Sequence, residues 1–202
     1  MKIIKEISED EFVASFLKME IDSERFGDRY LPQIEKDGRD RKIVDSPDFS
    51  NKEENMYRRF LLEKARGYKI NKLLFVNFPN DVKWFRAQFT KEDLQNSKFL
   101  KYSYWIKVSS GSRKAADAAK TIKSGIEIFD QPNKIYFKAA EAIRNGVKLP
   151  ELIFVGKDED SELILLEGHL RLTSYFLVYE HIPELLECIV GFSPNISKWI
   201  FY

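Results

Sequence analysis

The stretch Leu163–Tyr179 reads LILLEGHLRLTSYFLVY and carries Glu167, His169 and Arg171 at alternate positions around Gly168. Up to Glu167 it is a short apolar run of strand length. From His169 onward, Leu170, Leu172, Phe176, Leu177 and Val178 leave no polar side, which predicts a helix packed on more than one face. The glycine marks the handover, and the polar groups leave the core there. At a helix start the free backbone N–H groups and the positive end of the dipole favour an anion. Arg171 adds a planar fork of donors suited to phosphate oxygens. Gly168 would let a ligand approach the backbone, and Glu167 could hold a metal ion, orient a hydroxyl or accept a proton. A structural Glu167–Arg171 ion pair, with His169 capping a turn, explains the same residues without a ligand.

Outward from this junction, the order of elements is clearest in the last third. YFKAAEAIRNG predicts a helix ending at Gly146, ELIFV and ELILLE predict a hairpin closed by GKDEDS, and ECIVGF predicts a final strand. Upstream, Ser8 with Glu11 and Ser50 with Glu53 have capping-box spacing. They predict helices over 9–20 and from about 53 to Gly67, with an irregular, charge-rich connection over 22–52. KLLFVNF (72–78), VKWFRAQF and YSYWIKVS are expected as strands, TKEDLQN as a short helix, and 113–123 as a helix stopped by Gly125. The fold class expected is α+β.

The 202 residues, 44% hydrophobic and 14% aromatic, suffice for a folded core and argue against disorder. No apolar run reaches membrane-span length and the acidic start is unlike a signal peptide, so a cytoplasmic protein with no membrane partner is expected. A single cysteine, Cys188, and two histidines leave no disulfide and no zinc cage. No haem is expected, and a carboxylate-held Mg²⁺ stays open. The net charge is only +1, yet residues 101–148 hold ten basic against four acidic residues, while 149–192 hold two against nine. The basic stretch suits phosphates, and mutual attraction between solvated faces explains it equally.

EGHLRLTSY, preceded by AAEAIRNG, Pro150 and the hairpin and followed by IPELLECIVG, resembles the ParB/sulfiredoxin-like superfamily over roughly residues 100–192. The resemblance implies a small mixed sheet with flanking helices over 99–202, ending in an aromatic tail, and a mainly helical or mixed region over 1–98. It implies that Gly168 and Arg171 bind nucleotide phosphates, as in chromosome-partition CTPases, sulfiredoxins and free-serine kinases, with His169 and Thr173 in the same turn. Glu167 falls where serine-kinase-like members place an acid. Sulfiredoxin needs a cysteine where this chain has His169, which argues against sulfinic acid reduction. Partition-type members carry a second basic residue where this chain has Leu170, and no helix-turn-helix follows, which argues against centromere recognition. The expectation is therefore a nucleotide or phosphate ligand at 167–171, with Glu167 and His169 as catalytic candidates and Mg²⁺ supported by Glu167. Nucleotide hydrolysis, phosphotransfer and phosphodiester cleavage are all compatible, and a non-catalytic nucleotide-gated or DNA-associated module is the alternative.

SSGSR (109–113) offers a second anion clamp through Ser112 and Arg113, or a plain helix cap. Trp84, Trp105 and Trp199 are candidates for base stacking or for core. The aromatic end NISKWIFY is expected to pack against the body or a partner chain.

Overall fold

The computed structural model describes residues 1–23 and 25–202. Six strands, β1 (Lys2–Ile7), β2 (Lys83–Phe89), β3 (Lys98–Phe99), β4 (Leu152–Gly156), β5 (Ile164–Glu167) and β6 (Leu186–Phe192), form one mixed sheet in the order β1-β2-β6-β4-β5-β3. β4 runs parallel to β6 and β3 parallel to β5, and the other neighbours are antiparallel. Helices α1 (Glu9–Glu20), α2 (Leu31–Lys36), α3 (Lys42–Asp45) and α4 (Lys52–Arg66) precede β2. α5 (Lys91–Asn96) follows it, then α6 (Ser103–Val108), α7 (Ala115–Lys123), α8 (Lys134–Arg144) and α9 (His169–Leu177).

The unbroken apolar runs of the central strands are explained by burial on both sides. Ile153, Val155, Ile164, Leu166 and Ile189 face a core built with Phe12, Phe16 and Leu61 of α1 and α4. Their alternates Leu152, Phe154, Leu165, Cys188 and Val190 face a second core built with Ala118, Ile122, Ala140, Leu172 and Phe176 of α7, α8 and α9. Period-two alternation thus serves two layers of helices at once, and β4 is buried on both faces along its whole length. The sheet runs on across residue 98, because β2 lies between β1 and β6. Residues 1–98 therefore supply two strands and the helices of one face.

The mixed α and β composition is as expected, as are the hairpin β4–β5, strands β2 and β6, and helices α5, α7 and α8. Ser8 and Glu11 form the capping box that starts α1 at Glu9. α4 ends at Gly67, in the left-handed region at φ 82°. Three local readings differ. The cap of α4 is Asn51, whose side chain accepts from the Glu53 and Glu54 amides, while the Ser50 hydroxyl is turned to Asp48. KLLFVNF forms a 3₁₀ turn at Leu73–Phe75, because Leu73 and Asn77 adopt φ 49° and 57°, which no strand tolerates. YSYWIKVS folds as α6, since Tyr104 and Val108, four residues apart, are both buried and a helix puts them on one face. β1 was masked in the sequence by its charge: it is a mostly exposed edge strand, bulged between Ile3 and Lys5.

The aromatic end packs on the body. Trp199 is buried and its Nε1–H donates to the Leu74 carbonyl at 2.7 Å. Trp84 is also core, stacked on Phe12 with centroids 3.6 Å apart. Cys188 is fully buried and its thiol pKa is raised by desolvation, so it is an inert core thiol.

Candidate functional site

β5 ends at Glu167, paired with Ile153, and the chain turns at Gly168 with φ 105°. The Leu172 amide donates to the Gly168 carbonyl at 2.8 Å, which makes Gly168 the cap residue of α9, and no side chain caps that end. A Cβ at Gly168 would lie 2.5 Å from Leu152 Cδ2 and 3.1 Å from Arg171 Nη2. The close approach that requires glycine is therefore made by the protein's own Leu152 and Arg171, and not by space reserved for a ligand.

Arg171 folds back beneath this turn. Its Nη2 lies 3.6 Å from Glu167 Oε1, donates to the Glu151 carbonyl at 3.1 Å and touches Met19 Sδ at 3.3 Å. The ion pair of the conservative reading exists, and its side chains keep only 13% and 14% exposure. It does not exhaust the guanidinium, because the buried Arg171 Nε has no hydrogen-bond partner among the described residues. His169 is buried under Trp105, ring centroids 4.8 Å apart at 21°, and beside Phe99. Burial, then the charges of Arg66 and Arg171, push its pKa down to about 3 against a hydrogen bond to the Leu165 backbone. The imidazole is neutral at physiological pH. Its buried Nε2 has no hydrogen-bond partner among the described residues. Neutral and buried in the folded chain, the ring is suited to hydrogen bonding.

The remaining sequence candidates lie elsewhere or are engaged. Thr173 is fully buried, one turn into α9, with its hydroxyl donating to the His169 carbonyl at 2.7 Å. Ser112 Oγ donates to the Ser109 carbonyl and accepts from the Lys114 amide. Arg113 Nε donates to the Phe99 carbonyl at 2.6 Å, and the carboxylate acting on it is Glu162, not Glu167. The 112–113 turn thus braces β3 and stands apart from the junction.

The N-terminal helices complete the cluster. Glu20, the last residue of α1, is 1% exposed and accepts from the Tyr30 hydroxyl. Arg66, at the end of α4, holds its Nε 3.4 Å from Glu20 Oε1, close enough for ionic attraction but without hydrogen-bond geometry, so both atoms are unpartnered. Burial, and next the Glu167 carboxylate, raise the Glu20 pKa to about 7, against Arg66, the Tyr30 hydrogen bond and Arg29. Arg66, Arg29 and Arg25 gather around the Phe26 ring, with their guanidinium carbons 4.3, 5.1 and 5.2 Å from its centroid. A small recess of about 70 Å³, lined by Arg25, Tyr104 and Trp105 among others, opens beside the ring that covers His169. Glu20 was legible in principle: it falls four residues after Phe16 and eight after Phe12, a carboxylate in register with the buried stripe of α1. Nothing local marks Arg66, which ends a helix in a basic turn like many others.

The assembly holds two carboxylates among several guanidiniums. Among the described residues no group of three or more His, Cys, Asp or Glu is arranged to hold a metal ion. With Arg171 against Glu167 and Arg66 against Glu20, a divalent cation would meet like charge on both sides, so these residues do not fit a protein-held Mg²⁺. Among the described residues no helix is long and apolar enough to cross a membrane. No protein-family model, curated protein or solved structure matches the chain.

Proposed function

We propose that this chain contains a ParB/sulfiredoxin-like domain acting in the cytoplasm, and that the β5–α9 junction binds a nucleotide or another small phosphate ligand. One observation carries the reading: Arg66 Nε, Arg171 Nε and His169 Nε2 are buried without hydrogen-bond partners among the described residues, beside the uncapped start of α9. Buried polar atoms are nearly always paired, and each one left unpaired costs about 1–3 kcal/mol. Two guanidinium N–H donors and helix amides ask for acceptor oxygens on a negative group, which a phosphate supplies. His169 Nε2 asks for a hydrogen-bond partner, which a hydroxyl of the same ligand, donor and acceptor at once, supplies.

On this reading Glu167 orients Arg171, and Glu20, titrating near neutrality beside it, is the proton-handling group if the site turns over. The chemistry would be phosphate-centred: nucleotide hydrolysis, phosphotransfer or phosphodiester cleavage. Mg²⁺ would arrive, if at all, as the counter-ion of the nucleotide. The basic stretch 101–148 supports a second reading, a nucleotide-gated or DNA-associated module without turnover.

Calorimetric titration of CTP, ATP, ADP and GTP, with and without Mg²⁺, tests this on wild type, Arg171→Ala and the milder Arg66→Gln, each checked for folding by circular dichroism. Saturable binding lost in a folded variant supports the site, and product formation lost with Glu20→Gln separates enzyme from module. Absence of saturable binding to any of the four in folded wild type sinks the proposal.

A further inference from the structure

The end of α1 enters the junction from the helix layer opposite to that of α9. Met19 Sδ lies 3.3 Å from Arg171 Nη2, and the next residue, Glu20, holds Oε1 3.4 Å from Arg66 Nε. The Glu20 carboxyl is buried and feels charge from several elements: Glu167 of β5, Arg66 of α4, and Tyr30 and Arg29 at the entry to α2. Glu20 in turn acts on Arg171 of α9. His169, on which both Arg66 and Arg171 act, is neutral.

The two oxygens of Glu20 are not equivalent. Oε2 accepts from the Tyr30 hydroxyl, whereas Oε1 is buried with no hydrogen-bond partner among the described residues. The guanidinium nitrogen nearest to it, Arg66 Nε, is itself unpartnered among the described residues. Ionised, Glu20 carries two costs: acceptor capacity that nothing meets, and a second negative charge within reach of Glu167. Burial and that charge outweigh Arg66, Tyr30 and Arg29, so the protonated form is populated near neutrality. In that form the O–H belongs on Oε1, the oxygen that Tyr30 leaves free, and it needs an acceptor. No described residue is in hydrogen-bond geometry to supply one.

We propose that Glu20 serves the junction as a neutral carboxylic acid, donating from Oε1 to an oxygen of the phosphate ligand alongside Arg66 Nε and Arg171 Nε, so that binding draws one proton from solvent. This role rests on the phosphate reading of the junction and adds a titratable donor to two fixed ones. An anion placed beside Glu20 raises the proton affinity of its carboxyl, and by reciprocity the proton raises the affinity for the anion by the same factor. Glu20 therefore ties occupancy of the junction to pH: ionised, it presents negative charge to the ligand, and protonated, it presents a hydrogen bond.

The test is calorimetric titration of CTP, ATP, ADP and GTP without Mg²⁺ in buffers of different ionisation enthalpy, which counts the protons taken up. Working between about pH 7.5 and 8.5 keeps the terminal phosphate ionised, since its second pKa is near 6. Wild type is expected to take up close to one proton per bound nucleotide and to lose about tenfold in affinity across that pH unit. Glu20→Gln, which places an amide donor there with no proton to gain, is expected to bind without uptake and with a flat pH profile, its fold checked by circular dichroism. Wild-type binding without proton uptake, or the same uptake and slope in folded Glu20→Gln, overturns the role of Glu20 and leaves the phosphate site standing. No saturable binding of any of the four overturns both. The proton count on wild type decides even where the variant does not fold.

Discussion

At the scale of single residues, the junction is governed by what burial does to charge. Burial lifts the pKa of Glu20 from its ordinary 4.5 to about 7 in the folded chain, so between those values the folded chain holds a proton that the unfolded chain has released. Stability contributed by that proton is fully present below pH 4.5 and is lost as pH rises through 7. Chemical denaturation of wild type is expected to show a decline on the order of 3 kcal/mol across this window. Glu20→Gln, which keeps an acceptor for Tyr30, should flatten that slope, and an unchanged slope would assign it to other groups. Gly168→Ala should destabilise by about 2 kcal/mol or more in a thermal melt. It would combine a left-handed φ of 105° with a contact of 2.5 Å to Leu152, and neither can relax without moving the turn.

At the scale of elements, local signals and tertiary pressure can be separated. Asn51 makes both N-terminal hydrogen bonds of α4, so Asn51→Ala should lower stability by about 1 kcal/mol in urea denaturation, whereas Ser50→Ala should be nearly neutral. The reverse order would return the cap to Ser50. Elements with strong local punctuation, such as α1 with its capping box and β4–β5 with their polar turn, were legible from sequence. KLLFVNF was misread because composition favours a strand while the backbone must bend to bring Phe75 against Phe16, Tyr68 and Phe78. Aromatic packing decided that segment, and packing is not a local property. In the same way Tyr102–Ser109 has β-type residues but the burial pattern of a helix.

At the scale of the whole molecule, the sheet and the candidate site both need the N-terminal residues. β2 covers the edge of β6 over seven paired positions, and α1 and α4 cover one face of the central strands. A fragment of residues 99–202 would expose that edge and that face and would lack Glu20 and Arg66. It is expected to aggregate or to lack dispersed amide resonances in NMR, where the full chain gives a folded spectrum. A well-dispersed, monomeric fragment would show that the second half folds alone.

The sequence by itself determined the mixed class of the fold, the strand–glycine–helix order around Gly168 and the presence of charged groups at that handover, because periodicity, capping and the conformational demands of glycine act over a few neighbouring residues. Only the tertiary structure decided that Arg171 turns inward to Glu151 and Met19, that His169 stays neutral beneath Trp105, and that Glu20 and Arg66 join them from helices more than 100 residues away in the chain. Those outcomes depend on desolvation and on Coulomb interactions between groups that meet only when the layers close, and no local pattern encodes which side chains will share a buried volume.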